Sequence, residues 1–450
     1  MNRCRWSIRP QGRRFGVAAL AVVALAGGQA QASAVTCRVE PMRSVLTADS
    51  SETMMVKVSL KGGSVPAASR APINLCLVLD RSGSMQGDRI ARAKEAAIAA
   101  VERLTPEDIV SVVIFDQQIE TIVPAQFVRN KPSIVSAIRA VQSRGSTAIF
   151  GAMAQAAAEI RKNTSREYLN RIILLSDGQA NVGPAQPGDF GRLGVSLMKE
   201  GISVSTVGVG LDFNEDLMTS LSGKSDGNSY FVENSDDLPR IFSSELGSAL
   251  NVAARGLSLR IEFAAGTTPL EIVGREGTIN GATVTLDFNQ LYGGQEKYVL
   301  IRTAFSPGKD ETTRHVATAD VKYVDAASSR SERLTATGSV RFSKSQEIVR
   351  SSMNTDILRD AELTEDAIAT EKAIRLVDEG KGKEAAKIFE AQRRRLEDVA
   401  KMHPSIAPAA KSRADAQYMN FDRAASGSFD SRARKTEVQD MYMRANQQVP

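Results

Sequence analysis

The sequence predicts a doubly wound, mostly parallel α/β sheet inserted in an antiparallel β-sandwich and followed by a C-terminal helical region. Three patterns carry this. Between residues 71 and 250, short β-rich runs alternate with longer helical ones, as parallel strands joined by helical crossovers require. On both sides of that stretch, apolar and polar residues alternate strictly, the mark of half-buried strands. From about Met353 onward the apolar spacing turns helical.

The chain opens with a basic stretch, an apolar run from Phe15 to Ala26 and small-residue sites at Ala30-Gln31-Ala32 and Ala32-Ser33-Ala34. This pattern predicts a cleaved export signal over residues 1–32. As a helix the apolar run reaches only about 18 Å, short of the roughly 30 Å hydrocarbon core, so no membrane span is expected after cleavage. Residues 33–70 then supply strands, with Met54, Val56, Val58 and Leu60 on one face. So few strands are marginal alone, which predicts that they pair with residues 253–345.

Within residues 71–252 the first strand is the apolar run Ile73 to Leu79, buried on both faces. A helix from Asp88 to Leu104, a strand from Ile109 to Phe115 and an edge strand from Ile119 to Val123, ended by Pro124, follow. Helices over Pro132 to Val141 and Ile149 to Arg161 precede the strand Ile172 to Leu175. The strand Ile202 to Val209, a small strand at Tyr230 to Val232 and a helix from Asp237 to Leu250 complete the unit. Beyond it, Leu257, Leu259, Ile261 and Phe263 alternate again, and Asn280-Gly281 predicts a hairpin turn. Residues 346–450 read as a helical hairpin broken at Gly380-Lys381-Gly382, a loop at Ser426 to Ser431 and a disordered tail.

Charge excludes one class of partner. The chain of 450 residues carries a net +5, but five arginines lie before residue 15, and without them 52 basic side chains face 52 acidic ones. A neutral remainder gives no electrostatic footprint for nucleic acid. Seventeen basic and seventeen acidic side chains lie between Asp356 and Arg444, so Arg393-Arg394-Arg395 reads as a solvated helix face. A disulfide between Cys37 and Cys76 is chemically allowed outside the cytoplasm, but Cys76 sits inside an apolar strand pattern, where a buried free thiol is the plainer reading.

The chemistry sits in three loops. Asp80-Arg81-Ser82-Gly83-Ser84 follows the first buried strand, where open α/β sheets bind their ligands, and Gly83 allows the bend that lets its neighbours converge. Gly145-Ser146-Thr147 and Ser176-Asp177-Gly178 supply two further loops. Asp80 and Asp177 brought within about 4 to 5 Å at an effective dielectric near 20 would repel by roughly 3 to 4 kcal/mol, which calls for a cation. The donors Asp80, Ser82, Ser84, Thr147 and Asp177 are all hard oxygen, which selects Mg2+, with Mn2+ or Ca2+ as alternatives, over zinc or copper.

These five residues, in this order and context, resemble the metal-ion-dependent adhesion site (MIDAS) of von Willebrand factor A (VWA) domains, and the resemblance covers residues 71 to 250. It implies direct ligation by Ser82 and Ser84, by Thr147 directly or through water, and mostly water-mediated roles for Asp80 and Asp177. It also implies a protein partner that presents an Asp or Glu to the ion's open position. Arg81 departs from the small or aliphatic residues common at its place, and its charge either shades the ion or greets an acidic partner. Asp212 and Glu215, on a rim loop, read as an exposed helix start.

The expected function is metal-dependent protein binding or adhesion by an exported protein, in the periplasm, secreted or at the cell surface. A metal-stabilised structural module of the envelope is the alternative, and a metal-assisted hydrolase a distant third. Gly223-Lys224-Ser225-Asp226-Gly227 matches G-x-S-x-G but follows a helix and leads into a strand, the reverse of a nucleophile elbow. His315 and His403, the two histidines, lie far from the loops in sequence, which leaves acid–base catalysis by histidine without a donor. No enzyme is expected.

Overall fold

The computed structural model describes residues 34–65, 70–164 and 168–448. The expected export signal lies outside them. The described residues form sixteen strands and eleven α-helices, and no helix among them is long and apolar enough to cross a membrane.

One sheet has the order β6-β5-β4-β7-β8-β9. Its strands are β4 (Ile73–Asp80), β5 (Ile109–Phe115), β6 (Ile119–Phe127), β7 (Leu169–Ser176), β8 (Ile202–Val209) and β9 (Ser229–Val232). All neighbours pair in parallel except β5 and β6. Every residue of β4, β5 and β8 is buried because helices cover both faces. Ile73, Leu75, Leu77 and Leu79 pack on one side with α1 (Asp88–Arg103), α2 (Lys131–Arg139) and α6 (Leu238–Ala249). Cys76 and Val78 pack on the other with α3 (Ile149–Arg161), α4 (Pro187–Lys199) and α5 (Glu215–Lys224).

β6 runs four residues past the expected stop at Val123. Pro124 is tolerated because β6 is an edge strand and its register with β5 shifts between Val110 and Val112, a bulge that frees the Ala125 N–H to donate to Glu159 Oε2 at 3.0 Å.

Two further sheets share one apolar core. The first has the order β1-β3-β14-β11 and the second β12-β13-β10-β15-β16-β2, in which β2 is Val45–Thr47, β15 Thr313–Asp325 and β16 Ser331–Ser343. The early strands β1 (Val35–Pro41) and β3 (Glu52–Gly62) thus lie beside the late β14 (Glu296–Phe305) and β11 (Thr267–Val273). Val56, Val58 and Leu60 of β3 meet Leu257, Leu259 and Ile261 of β10 (Val252–Phe263), each fully buried aliphatic side chain contributing about 1.5 to 3 kcal/mol. The turn at Asn280-Gly281 joins β12 (Thr278–Asn280) to β13 (Thr283–Tyr292), with Gly281 at φ +59°. Cys37 and Cys76 are free thiols.

The opposite face of β3 is covered by α8 (Thr355–Asp378). Met55 packs on Ile357 and Ala361, and Lys57 donates to Asp360 at 2.7 Å. α9 (Gly382–Met402), α10 (Ala407–Ser426) and α11 (Ser431–Asn446) follow. Residues beyond Ser431 are therefore helical through Asn446, against the expected disordered tail. Their docking face mixes charge with a few apolar side chains: Arg432, Arg434 and Lys435 of α11 pair with Glu233, Glu215, Asp216 and Asp378 beside buried Ala433, Val438 and Tyr442, too thin an apolar stripe to announce the contact. Arg393, Arg394 and Arg395 bond acids of α8 and α9, as a helix face should.

The α/β unit is anchored at the end of its sheet away from the Asp80 loop. Arg171, near the start of β7, donates to Tyr292 Oη at 2.7 Å and lies 3.1 Å from Glu245. Asp226 accepts from the Asn289 N–H at 2.8 Å and Lys297 Nζ at 2.6 Å. Asp80 lies at the opposite, carboxyl end of the strands.

Candidate metal centre

β4 ends on Asp80, which has no solvent exposure. Its Oδ1 accepts from the Ser82 N–H at 2.8 Å, bending the chain away from the strand, and its Oδ2 accepts from Ser176 Oγ at 2.5 Å, tying the loop to the end of β7. A single 3-10 turn at Gly83–Met85 leads toward α1. Within it, Ser82 Oγ and Ser84 Oγ lie 3.0 Å apart, and Ser84 Oγ donates to Asp177 Oδ1 at 2.7 Å.

The Thr147 loop is laid against this turn. Gly83 N–H donates to Gly145 O at 3.0 Å and Arg144 N–H to Arg81 O at 2.6 Å. Gly145 has φ +74°, a conformation that L side chains rarely adopt. Asn181, in the loop after β7, accepts the Thr147 N–H at 2.8 Å through its side chain and donates its own N–H to Thr147 O at 3.1 Å. A Cβ placed on Gly178 would sit 3.2 Å from Thr147 Oγ1 and 3.6 Å from Ser84 Oγ, so those two hydroxyls flank one small space beside the glycine. All five expected residues thus come from three loops that touch.

The oxygens fit a small hard cation. Magnesium binds oxygen at about 2.0 to 2.1 Å in an octahedron, whose adjacent ligand oxygens are about 2.9 Å apart. The Ser82–Ser84 and Ser84–Asp177 separations of 3.0 and 2.7 Å bracket that edge. Two carboxylates and three hydroxyls make a donor set unlike zinc or copper sites, and among the described residues no three His, Cys, Asp or Glu side chains cluster as a metal site. Burial pushes the Asp80 carboxyl up to about 6, hydrogen bonds from Ser176 and Ser82 pull it back, and the Asp177 charge adds to the rise.

Two sequence expectations change. Arg81 neither shades the three hydroxyls nor faces solvent: it is buried, with Nε donating to Asp116 Oδ2 at 3.0 Å and Nη1 3.2 Å from Glu120. Glu215 is not an exposed helix start, because Arg434 and Lys435 of α11 hold its carboxylate. Asp212 does remain exposed, 4.0 Å from Arg89.

Three contributors escaped the sequence reading. Ser176 was seen only as part of a loop, although a hydroxyl at the end of β7 is well placed to reach the end of β4. Arg89 donates to Asp177 Oδ2 at 2.6 Å. A cation in the first turn of a helix opposes the helix dipole, and that mismatch was its signal. Asp116 directly follows its own buried strand, β5, and is itself buried.

A sheet of this order with such a rim defines a class: residues 74–244 match the von Willebrand factor type A domain, and the chain carries that domain. Other members of that domain family commonly bind a divalent metal at the corresponding rim. A protein of Synechocystis, sll0103, is 31% identical over 198 residues, 43% of this chain and 46% of that one. Human inter-alpha-trypsin inhibitor heavy chain H2 is 26% identical over 256 residues, 55% of this chain and 25% of the heavy chain. The chain therefore spans less than half the length of either relative. A solved structure described as von Willebrand factor type A from Catenulispora acidiphila superposes with a TM-score of 0.68 at 16% identity, over 86% of this chain and 89% of that one. The likeness of fold therefore extends past the α/β unit.

Proposed function

We propose that this is an exported protein that binds a protein partner through a divalent cation, Mg2+ in preference to Mn2+ or Ca2+. Ser82, Ser84 and Thr147 hold the ion by their hydroxyls, Asp80 and Asp177 supply charge behind them, and an Asp or Glu of the partner completes the shell. The observation that supports this most directly is the 3.0 Å spacing of Ser82 Oγ and Ser84 Oγ, near an octahedral edge, with Asp177 Oδ1 held 2.7 Å behind Ser84 Oγ. When bound, the ion supplies an electrophilic position for a carboxylate. The chain's own residues do the rest: Asp80 closes the turn, Asn181 orients Thr147, and Arg89 balances Asp177.

In this reading residues 1–32 are a signal, and residues 33–70 and 253–345 form one β-sandwich into which residues 71–252 are inserted. Residues 346–450 brace the insert through α11. A periplasmic, secreted or cell-surface location follows from the leader, and a binding role without catalysis follows from a rim that offers no histidine.

The test is crosslinking of the full chain in its own envelope, in Mg2+ and in chelator, with Ser82→Ala alongside. An adduct that forms in Mg2+, vanishes in chelator and is absent from the variant supports the reading. Identical adducts under all three conditions overturn it. A melting point raised by Mg2+ with no ion-requiring adduct assigns the ion to loop stabilisation in a structural module.

A further inference from the structure

The loops bearing Ser82 and Thr147 follow different elements, and one carboxylate outside the five-residue set joins them. Asp116, the residue after β5, is fully buried. Its Oδ2 accepts from Arg81 Nε at 3.0 Å and from Arg144 Nε at 2.8 Å. Its backbone carbonyl accepts the Ala148 N–H at 3.0 Å. Arg81 immediately precedes Ser82, Ala148 immediately follows Thr147, and Arg144 lies three residues before it. One residue therefore grips both loops within three positions of a hydroxyl donor.

A turn-forming role explains only part of this. The β5–β6 hairpin uses Asp116 Oδ1, which accepts the Gln118 N–H at 2.6 Å, and the Asp116 N–H, which donates to Gln118 O at 2.9 Å. Oδ2 has no part in the turn, and two guanidinium groups from the two neighbouring loops meet there. Burial alone would raise this carboxyl, yet the Gln118 N–H, Arg144 and Arg81 hold it below the usual carboxylate range, so it is an anion at neutral pH. Arg144 is largely exposed and lies along the rim to reach it.

We propose that Asp116 is a positioning residue of the metal centre, its carboxylate clamping Arg81 and Arg144 so that the Ser82 and Thr147 hydroxyls are held at the spacing one cation needs. The inference rests on the metal-binding reading above. Partners of this kind, one step behind the ligands, are worth about 10- to 100-fold in metal affinity.

The experiment is calorimetric titration of the full chain with Mn2+, together with metal-free melting curves, for wild type, Asp116→Asn, Arg144→Ala and Ser84→Ala. Expected are a loss of roughly tenfold or more for Asp116→Asn and about fivefold for Arg144→Ala, with the metal-free melting point of Arg144→Ala within about 2 °C of wild type. The Arg144 variant separates positioning from charge. Deleting a cation near a dication tightens binding by Coulomb's law, whereas loss of the clamp loosens it. Binding by Arg144→Ala as tight as wild type or tighter overturns the inference while Ser84→Ala still shows the ion to sit at the hydroxyls. A wild-type chain that takes up no Mn2+, or a Ser84→Ala variant that binds as wild type does, overturns the metal reading and the clamp with it. If Asp116→Asn fails to fold, the Arg144 variant decides alone.

Discussion

Arg89 Nη1 donates to Asp177 Oδ2 at 2.6 Å while Asp177 Oδ1 accepts from Ser84, so one buried carboxylate is shared between a cation and a hydroxyl of the proposed ligand set. The guanidinium occupies the first turn of α1, where the helix dipole disfavours it, and Asp177 is the group that offsets that cost. Asp177 has no exposure, so it depends on the pair.

Arg89→Ala is accordingly expected to lower the metal-free stability by about 1 to 2 kcal/mol, discounted for the one-third exposure of the arginine, and to enlarge the rise in melting temperature on adding Mg2+. Melting curves in chelator and in Mg2+ check both signs. A variant whose response to Mg2+ matches wild type would disprove the balance between guanidinium and ion.

Gly178→Ala tests where the ion sits. The added methyl would stand beside Thr147 Oγ1 and Ser84 Oγ, so Mg2+ binding should fall at least tenfold while unfolding in denaturant shifts by less than about 1 kcal/mol. Retained affinity in the calorimeter would place the ion elsewhere.

Asp108 governs acid stability at the entrance to the α/β unit. Burial opposes its ionisation, but Arg70, at 2.9 and 2.6 Å, and the N–H groups of Thr105 and Ile73 hold its pKa below the ordinary value. An acid with a depressed folded pKa contributes stability that is fully present above its unfolded pKa near 4 and is lost as pH falls through the folded one. Relative to Asp108→Asn, wild type should be more stable by about 2 kcal/mol at pH 6, and the gap should close below pH 4. Denaturant curves from pH 6 to 2.5 that stay parallel would refute the assignment.

Arg413 is the buried centre of the C-terminal helices, bonded to Asp366, Glu437 and Thr370 across α8, α10 and α11. Arg413→Met leaves those carboxylates underpaired, although Arg444 still reaches Asp366, and should cost about 3 kcal/mol. Limited proteolysis should then cut first within residues 403–446. Unchanged resistance there would show that the contacts of α11 to Glu215, Asp216, Glu233 and Asp378 hold it without Arg413.

Elements with dense apolar or β-branched patterning were legible in the sequence: β5, β8 and α3 span the residues that their patterns predict. So were the three loops that meet at the rim, because each directly follows a buried strand or precedes a helix. What periodicity could not reveal was every contact made through charge. Arg81 looked like a rim residue because nothing in its neighbourhood names Asp116, which lies 35 positions away. α11 looked like a tail because its buried face sets Lys435 and Glu437 among Ala433, Val438 and Tyr442, and the charged side chains read as solvated when no partner is known. The run of β6 past Pro124 depended on a bulge, which is a property of a strand pair and not of either strand.

The pairing of β3 with β14 also sets a timetable. Met54 to Leu60 leave the ribosome early, yet the strand that covers their edge, Glu296–Phe305, is made some 240 residues later. Until then β3, paired on one side by β1, keeps its other edge open while the intervening helices and strands close on themselves, a state that invites aggregation. Residues 52–62 thus wait for a neighbour made long after them, and the sheet they belong to closes only after the α/β unit between them has been synthesised.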